Sequence, residues 1–293
     1  MSALLVSLGC LLAVVLLARN ARASLTPTAV YGPGPRSLFV ASASPGELGL
    51  LAVLGEAYGV RAGCAVAWLK AGSGRAFELL RQGDADVVMV HAPAAVRQAV
   101  AEGWAGHDVL IGSNEFYLVG PAADPAGVAA AGDIVEAYRK IATAQARFFS
   151  RGDDSGTHKK EMAVWQEAGI APAGDWYVVT GDFMTATLRR AESEGGYFMT
   201  DSSVWEAEKA QLPGLTRLFS GDARLVNTYH ALCRMADGAP ESDLAAGFID
   251  FVASPEGQAL LLDFGRERFG ASLYHDAAYA RQYEPDGEGT ESA

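Results

Sequence analysis

Positive charge is scarce in this chain. Over 293 residues, 23 Lys and Arg stand against 35 Asp and Glu, a net charge of -12, and no basic run is longer than Lys159-Lys160. Binding a phosphate backbone needs a basic surface, so a nucleic-acid partner is excluded and any anionic ligand must be held by local donors. Cysteine is equally sparse, with three residues and no metal-ligand spacing among them. No internal repeat of fixed period is present. The longest apolar stretch, Ala3 to Ala18, is uncharged but falls short of the roughly 20 residues that span a bilayer comfortably.

What is present is ordinary globular composition, 50% apolar and 20% charged, long enough for one large domain or two smaller ones. The apolar start followed by Ala21-Arg22-Ala23 has the small-x-small pattern of a secretory signal, so residues 1–23 are expected to be removed and the protein exported. A basic segment before the apolar run is missing, and Arg19 and Arg22 lie after it, so retention as an anchor stays open. The expected location is periplasmic, or extracellular and membrane-associated. Removal would leave Cys64 and Cys233, which an exported protein can hold as a disulfide or as two buried thiols.

Residues 24–36 carry Pro27, Gly32, Pro33, Gly34 and Pro35 and read as a flexible leader. From Ser37, apolar β-branched runs alternate with amphipathic segments. Strands are expected at Ser37–Ser42, Ala65–Leu69 and Val87–Val90, with helices at Leu48–Tyr58, Arg75–Arg81 and Ala94–Ala101. Leu110–Pro121 is long enough to be an extended crossing segment. A second series follows, with helices near Asp133–Thr143 and His158–Ala168 and strands at Arg147–Phe149, Trp176–Val179 and Gly196–Met199. Leu225–Cys233 is strand-like again, and Pro240–Phe251 and Pro255–Phe264 are helical.

The order predicts an α/β protein of two lobes: residues 37–115 with 224–283, and residues 116–223, followed by a disordered acidic tail over 284–293. Ligands of open α/β sheets sit beyond the carboxyl ends of the strands.

The strongest chemical signal is Ser150-Arg151-Gly152-Asp153-Asp154-Ser155-Gly156-Thr157-His158, where a strand gives way to a helix. Such a turn presents free backbone N–H groups and the positive end of the helix dipole. Ser155 and Thr157 add hydroxyls, Arg151 adds a forked guanidinium, and Asp153 or Asp154 can orient it. An ordinary helix cap uses the same residue types. Two further turns, Ser42-Ala43-Ser44-Pro45-Gly46 and Gly72-Ser73-Gly74, supply similar donors, and Ser42, Ser44 and Ser73 are the candidates there. His91 reads as a structural histidine at a strand end.

These residues carry a family resemblance. From about Ser37 to Leu273 the chain resembles the tungstate-binding proteins of bacterial ABC transporters, within the wider class of periplasmic oxyanion-binding proteins. The matching stretches are Gly83-Asp84-Ala85-Asp86-Val87, His91-Ala92-Pro93, Phe116 to Pro121 with Asp124-Pro125-Ala126, and Ser150 to Glu161. Trp165, Gly169-Ile170, Met184, Thr187-Leu188 and Thr200-Asp201 extend the match.

The resemblance implies a type II periplasmic-binding-protein fold with a ligand cleft between lobes, and Arg151, Ser155, Gly156 and Thr157 in contact with the oxyanion. It further implies an ABC permease as partner, a monomer, no cofactor and no enzymatic activity. Three stretches depart from the family pattern. A Thr-Thr-Thr-Ser-like loop is Ala41-Ser42-Ala43-Ser44 here, Ser202 stands where relatives have Arg, and a Gly-x-Gly-Met turn is Gly181-Asp182-Phe183-Met184.

Tungstate, molybdate and sulfate carry no proton near neutral pH and suit an all-donor cage, whereas phosphate rewards a carboxylate acceptor. Glu47 and Asp154 are therefore the residues whose orientation discriminates. The expected ligand is tungstate, with molybdate indistinguishable by shape and charge. The alternative is a membrane-associated sensor or interaction module of the same fold with another ligand, such as phosphate or sulfate.

Overall fold

The computed structural model describes residues 26–284. The signal segment and all of the tail beyond Glu284 lie outside the described residues. Glu284 itself sits 3.3 Å from His230 Nε2.

The strands are β1 (Ala29–Tyr31), β2 (Arg36–Ser42), β3 (Cys64–Lys70), β4 (Val87–Val90), β5 (Ala105–Pro121), β6 (Phe148–Ser150), β7 (Tyr177–Val179), β8 (Tyr197–Asp201), β9 (Leu215–Phe219) and β10 (Val226–Ala236). They run in one sheet in the order β1-β3-β2-β4-β10-β5-β8-β6-β7, with β9 alongside β5. Strands β2, β3 and β4 are parallel, as are β6, β7 and β8. Between the two sets lie β5 and β10, antiparallel to each other and to β8 and β4 respectively.

The parallel strands are continuous apolar runs because helices cover both of their faces. Every residue of Cys64–Leu69 and of Val87–Val90 is buried. The covering helices are amphipathic at the expected spacing. Ser73–Gln82 buries Ala76, Leu79 and Leu80 and ends at Gly83, whose φ of 79° only glycine adopts at little cost. Ile134–Ala144 is capped by Asp133, whose carboxylate accepts the Glu136 N–H at 2.7 Å.

Four buried clusters divide at the middle of the sheet. Two draw on residues from Leu38 to Ile111 and from Tyr229 to Tyr274, one on each sheet face. The other two draw on residues from Phe116 to Leu225. The chain passes from one core to the other along β5 and returns along β10, so the two lobes are joined by two adjacent strands. The sequence reading starts the return at residue 224, but Leu225 is fully buried in the second core.

The leader is a second correction. Ala29–Tyr31 pairs antiparallel with β3, Ala29 opposite Trp68 and Tyr31 opposite Val66. The outer edge of β3 would otherwise present unpaired N–H and C=O groups, and three extended residues satisfy it. Tyr31 then packs on the first core. The Pro and Gly residues around it mask so short a strand in the sequence.

Cys64 and Cys233 are buried free thiols in the same core. Among the described residues no helix is long and apolar enough to cross a membrane.

Candidate functional site

The carboxyl ends of the two parallel sets face each other across the double crossing. On the first lobe these ends carry Ser42 and Ser44 after β2, Ser73 after β3, and His91 after β4. On the second they carry Arg151–Thr157 after β6, Thr180–Phe183 after β7, and Asp201–Ser203 after β8.

The strand-to-helix turn is built from local bonds. Asp153 takes a hydrogen bond from the Arg151 guanidinium at 2.5 Å and another from the Ser155 N–H at 3.2 Å. Burial opposes ionisation of this carboxyl, but the bonds from Ser155 and Arg151 outweigh it and hold the pKa below the ordinary value. Of the two candidate acids, Asp153 therefore orients Arg151. The Arg151 side chain is only 12% exposed, and its buried Nε has no partner. Ser155 caps the helix Gly156–Glu167, its Oγ accepting the His158 N–H at 3.3 Å, and Thr157 is buried in the first turn. The Ser155 side chain thus both caps the helix and bonds to the Asp153 carboxylate.

At Gly156 the lobes touch. A Cβ placed on it would stand 2.3 Å from His91 Cε1, so only glycine allows this approach. A second bridge lies at the rim, where the Lys70 ammonium stands 6.0 Å from the Phe183 ring.

On the first lobe, Ser42 is fully buried and its Oγ has no partner. The Ser42 carbonyl accepts a bond from Trp68 Nε1 at 3.0 Å. That indole lies against Gly46, where a Cβ would be 2.1 Å from the ring, which fixes the loop. Ser44 opens the short helix Ser44–Glu47 beside the Tyr229 hydroxyl. Ser73 is the first residue of its helix, half-buried, and its hydroxyl makes no hydrogen bond among the described residues. Ser42, Arg151, Ser155, Gly156 and Thr157 therefore lie on facing edges, with Ser44 on the loop beside them. Ser73 lies one strand further out, across β3.

Two of the departures from the family pattern, at Ala41 and Ser202, have local explanations. Ala41 is fully buried in the first lobe's core, so its missing hydroxyl is no loss to the cleft. Ser202 Oγ accepts the Glu115 N–H at 3.0 Å and ties the second lobe to the crossing strand. Neither discriminating acid is aimed at the turn. Glu47 pairs with Lys70 at 2.5 Å, and Asp154, its side chain 84% exposed, pairs with Lys159 at 3.3 Å.

A set of buried polar residues that sequence reasoning missed runs through the hinge. Asn114 Nδ2 donates to Asp201 Oδ2 at 2.7 Å and to Ser203 Oγ at 3.0 Å. Asn227, directly opposite Asn114 in the sheet, donates from Nδ2 to Asn114 Oδ1 at 2.9 Å. The Asn227 Oδ1 meets His91 Nδ1 at 3.1 Å. The signal in the sequence is that asparagine is depleted in strands, and both residues stand within strands, Asn114 between two apolar runs and Asn227 after Leu225-Val226.

Below the turn, Glu161 is 1% exposed and accepts from the Tyr177 hydroxyl at 2.7 Å and from Trp165 Nε1 at 3.3 Å. Burial pushes its pKa up to about 7, against those bonds. Lys160 has its pKa lowered by burial and donates to the Arg224 carbonyl at 2.8 Å.

Two α/β lobes hinged on paired strands, with unpaired donors at facing strand ends, define a ligand-trapping protein of the two-lobed binding class. Residues 29–256 match the model of the PBP superfamily domain, and the chain belongs to that superfamily. The tungstate-binding protein TupA of Peptoclostridium acidaminophilum is 35% identical over 81% of this chain and 84% of its own. Among solved structures, TupA from Desulfovibrio alaskensis G20 superposes with a TM-score of 0.72 at 35% identity, covering 82% of this chain and 98% of that one. The tungstate ABC transporter structure from Geobacter sulfurreducens gives 0.71 at 35% identity, covering 79% and 100%. The two TupA relatives are named as tungstate-binding proteins.

Proposed function

We propose that this protein captures a tetrahedral, proton-free oxyanion, tungstate or its isostere molybdate, outside the cytoplasm and delivers it to an ABC permease. The observation that carries the reading is Arg151, nearly enclosed, oriented by Asp153 and with an unpaired Nε, beside the free N–H groups of the helix that starts at Gly156. Relatives named for tungstate at 35% identity support the choice of anion. Arg151, Ser155, Gly156 and Thr157 would donate from the second lobe, and Ser42, Ser44 and Ser73 from the first. No bond is made or broken, the protein acts as a monomer, and no cofactor takes part. Donors from both lobes meet on one ligand only in the closed arrangement, so the ligand stabilises closure by differential contact.

The outward pairing of Glu47 and Asp154 removes the two carboxylates that would favour phosphate as fixed acceptors of its proton. The test is calorimetric titration of residues 24–293, stripped of ligand by unfolding and refolding, against tungstate, molybdate, sulfate and phosphate. Submicromolar tungstate binding, lost in Arg151→Ala, is expected. Absence of binding across the panel by a folded protein would refute the reading in favour of a sensor of the same fold.

A further inference from the structure

The polar chain through the hinge has a direction. It begins at a carboxylate, Asp201, which can only accept, so Asn114 presents its NH2 to Asp201 and its Oδ1 to Asn227. Asn227 must then turn its own Oδ1 toward His91, and an oxygen there demands that His91 Nδ1 carry a hydrogen. In the neutral ring this leaves Nε2 as a bare lone pair. Nε2 has no hydrogen-bond partner among the described residues, and the half-buried ring lies against Gly156, the first residue of the helix at the anion turn.

We propose that His91 is a specificity residue, whose Nε2 reads whether the ligand oxygen facing it carries a proton. The proposal rests on the oxyanion-binding reading above. A proton-free dianion needs a donor at that point, so it is bound together with a proton taken up at Nε2. A ligand that keeps a proton, such as hydrogen phosphate, can instead donate to neutral Nε2. The geometry supplies at a histidine the acceptor that Glu47 and Asp154 do not.

The charged and titratable groups around the ring fit this role. Its enclosure favours the neutral form, which the negative charge of Asp201 and the bond to Asn227 oppose. The positive charges of Arg151 and Lys160 act with burial, and the Tyr229 ring, 5.3 Å away, closes the remaining side. Without ligand the ring is therefore held neutral and its pKa lowered. A bound dianion offsets the two cations and shifts the balance toward imidazolium.

The test is titration with sodium tungstate from pH 6.5 to 8.5, in buffers of different ionisation enthalpy, to count protons taken up on binding. Wild type is expected to take up a substantial fraction of one proton near neutral pH, with tungstate affinity falling about tenfold across that range. His91→Gln should abolish the uptake and flatten the pH dependence. It should also narrow the preference for tungstate over phosphate at the acid end.

Imidazole 15N spectra of the ligand-free wild type, with the His91 signal identified among the five histidines, should show the Nδ1–H form, and tungstate should convert it to imidazolium. This measurement stands even if the variant fails to fold. Tight tungstate binding without proton uptake, uptake that persists in His91→Gln, or an Nε2–H form in the free protein would each overturn the assignment while leaving the oxyanion reading intact. Failure of wild type to bind any oxyanion would overturn both.

Discussion

Replacing Glu161 with glutamine tests the energetics of the second lobe most directly. The carboxyl is 1% exposed beneath the anion turn, and its pKa is raised from 4.5 to about 7 by burial. The folded state thus holds this proton to higher pH than the unfolded state does. The stability of the protonated form is fully present below about 4.5 and is lost as pH rises through about 7. A shift of this size corresponds to about 3 kcal/mol at alkaline pH, net of the bonds from Tyr177 and Trp165, which offset part of the burial penalty.

Glutamine retains the Oε1 acceptor for both donors and has no charge to desolvate. Glu161→Gln should therefore be within a few tenths of a kcal/mol of wild type at pH 5. At pH 8.5 it should be about 1 to 3 kcal/mol more stable, a gain in Tm of roughly 3 to 10 °C. The assay is urea unfolding followed by far-UV circular dichroism, because the fluorescence of Trp165 would respond to the substitution itself. Taking the difference between variant and wild type at each pH cancels every other titration. A difference that does not change between pH 5 and 8.5, or a variant less stable at pH 8.5, would show that Glu161 is not the strained group inferred here.

Gly156→Ala should weaken tungstate binding by about ten- to a hundredfold, because the new methyl meets His91 at 2.3 Å and the lobes cannot close fully. Its unfolding midpoint should move little, since the first helical position accepts alanine, and calorimetry paired with thermal melts separates the two effects. Cys64 and Cys233 should be unreactive toward a thiol reagent in the native protein and react on denaturation, with no change of gel mobility on reduction. Both are buried, and burial pushes the Cys233 thiol up to about 11.

The legible part of the fold is the part with strong periodicity. Val87–Val90 is a strand over the residues expected, and the helix expected over Asp133–Thr143 occupies Ile134–Ala144 with Asp133 as its cap. The crossing segment was visible as two apolar runs around Gly112–Asn114, but its extent was not, because β5 starts at Ala105 inside a stretch with polar residues Asp108 and His107. The helix expected from Pro240 starts at Asp243, after Ser242 supplies the cap that Pro240 cannot. Ala29–Tyr31 was hidden for a different reason. Its pairing depends on an open edge of β3 far along the chain, and no local composition records that edge.

The site divides along the same line. Arg151, Asp153, Ser155, Gly156 and Thr157 are contiguous, so the turn they form can be read from nine residues of sequence. His91, Asn114, Asp201 and Asn227 come from four separate strand ends and crossings and meet only because β10 inserts between β4 and β5. Asn114 and Asn227 are opposed by the register of the two crossing strands, and a slip of one strand by one residue would turn its asparagine to the other face of the sheet, away from its partner. The hydrogen bonds that fix His91 therefore depend on the alignment of the two strands about which the lobes hinge. A change in that alignment on opening would alter the proton preference of Nε2, which ties the reading of the anion to the closed state in which Gly156 lies against the ring.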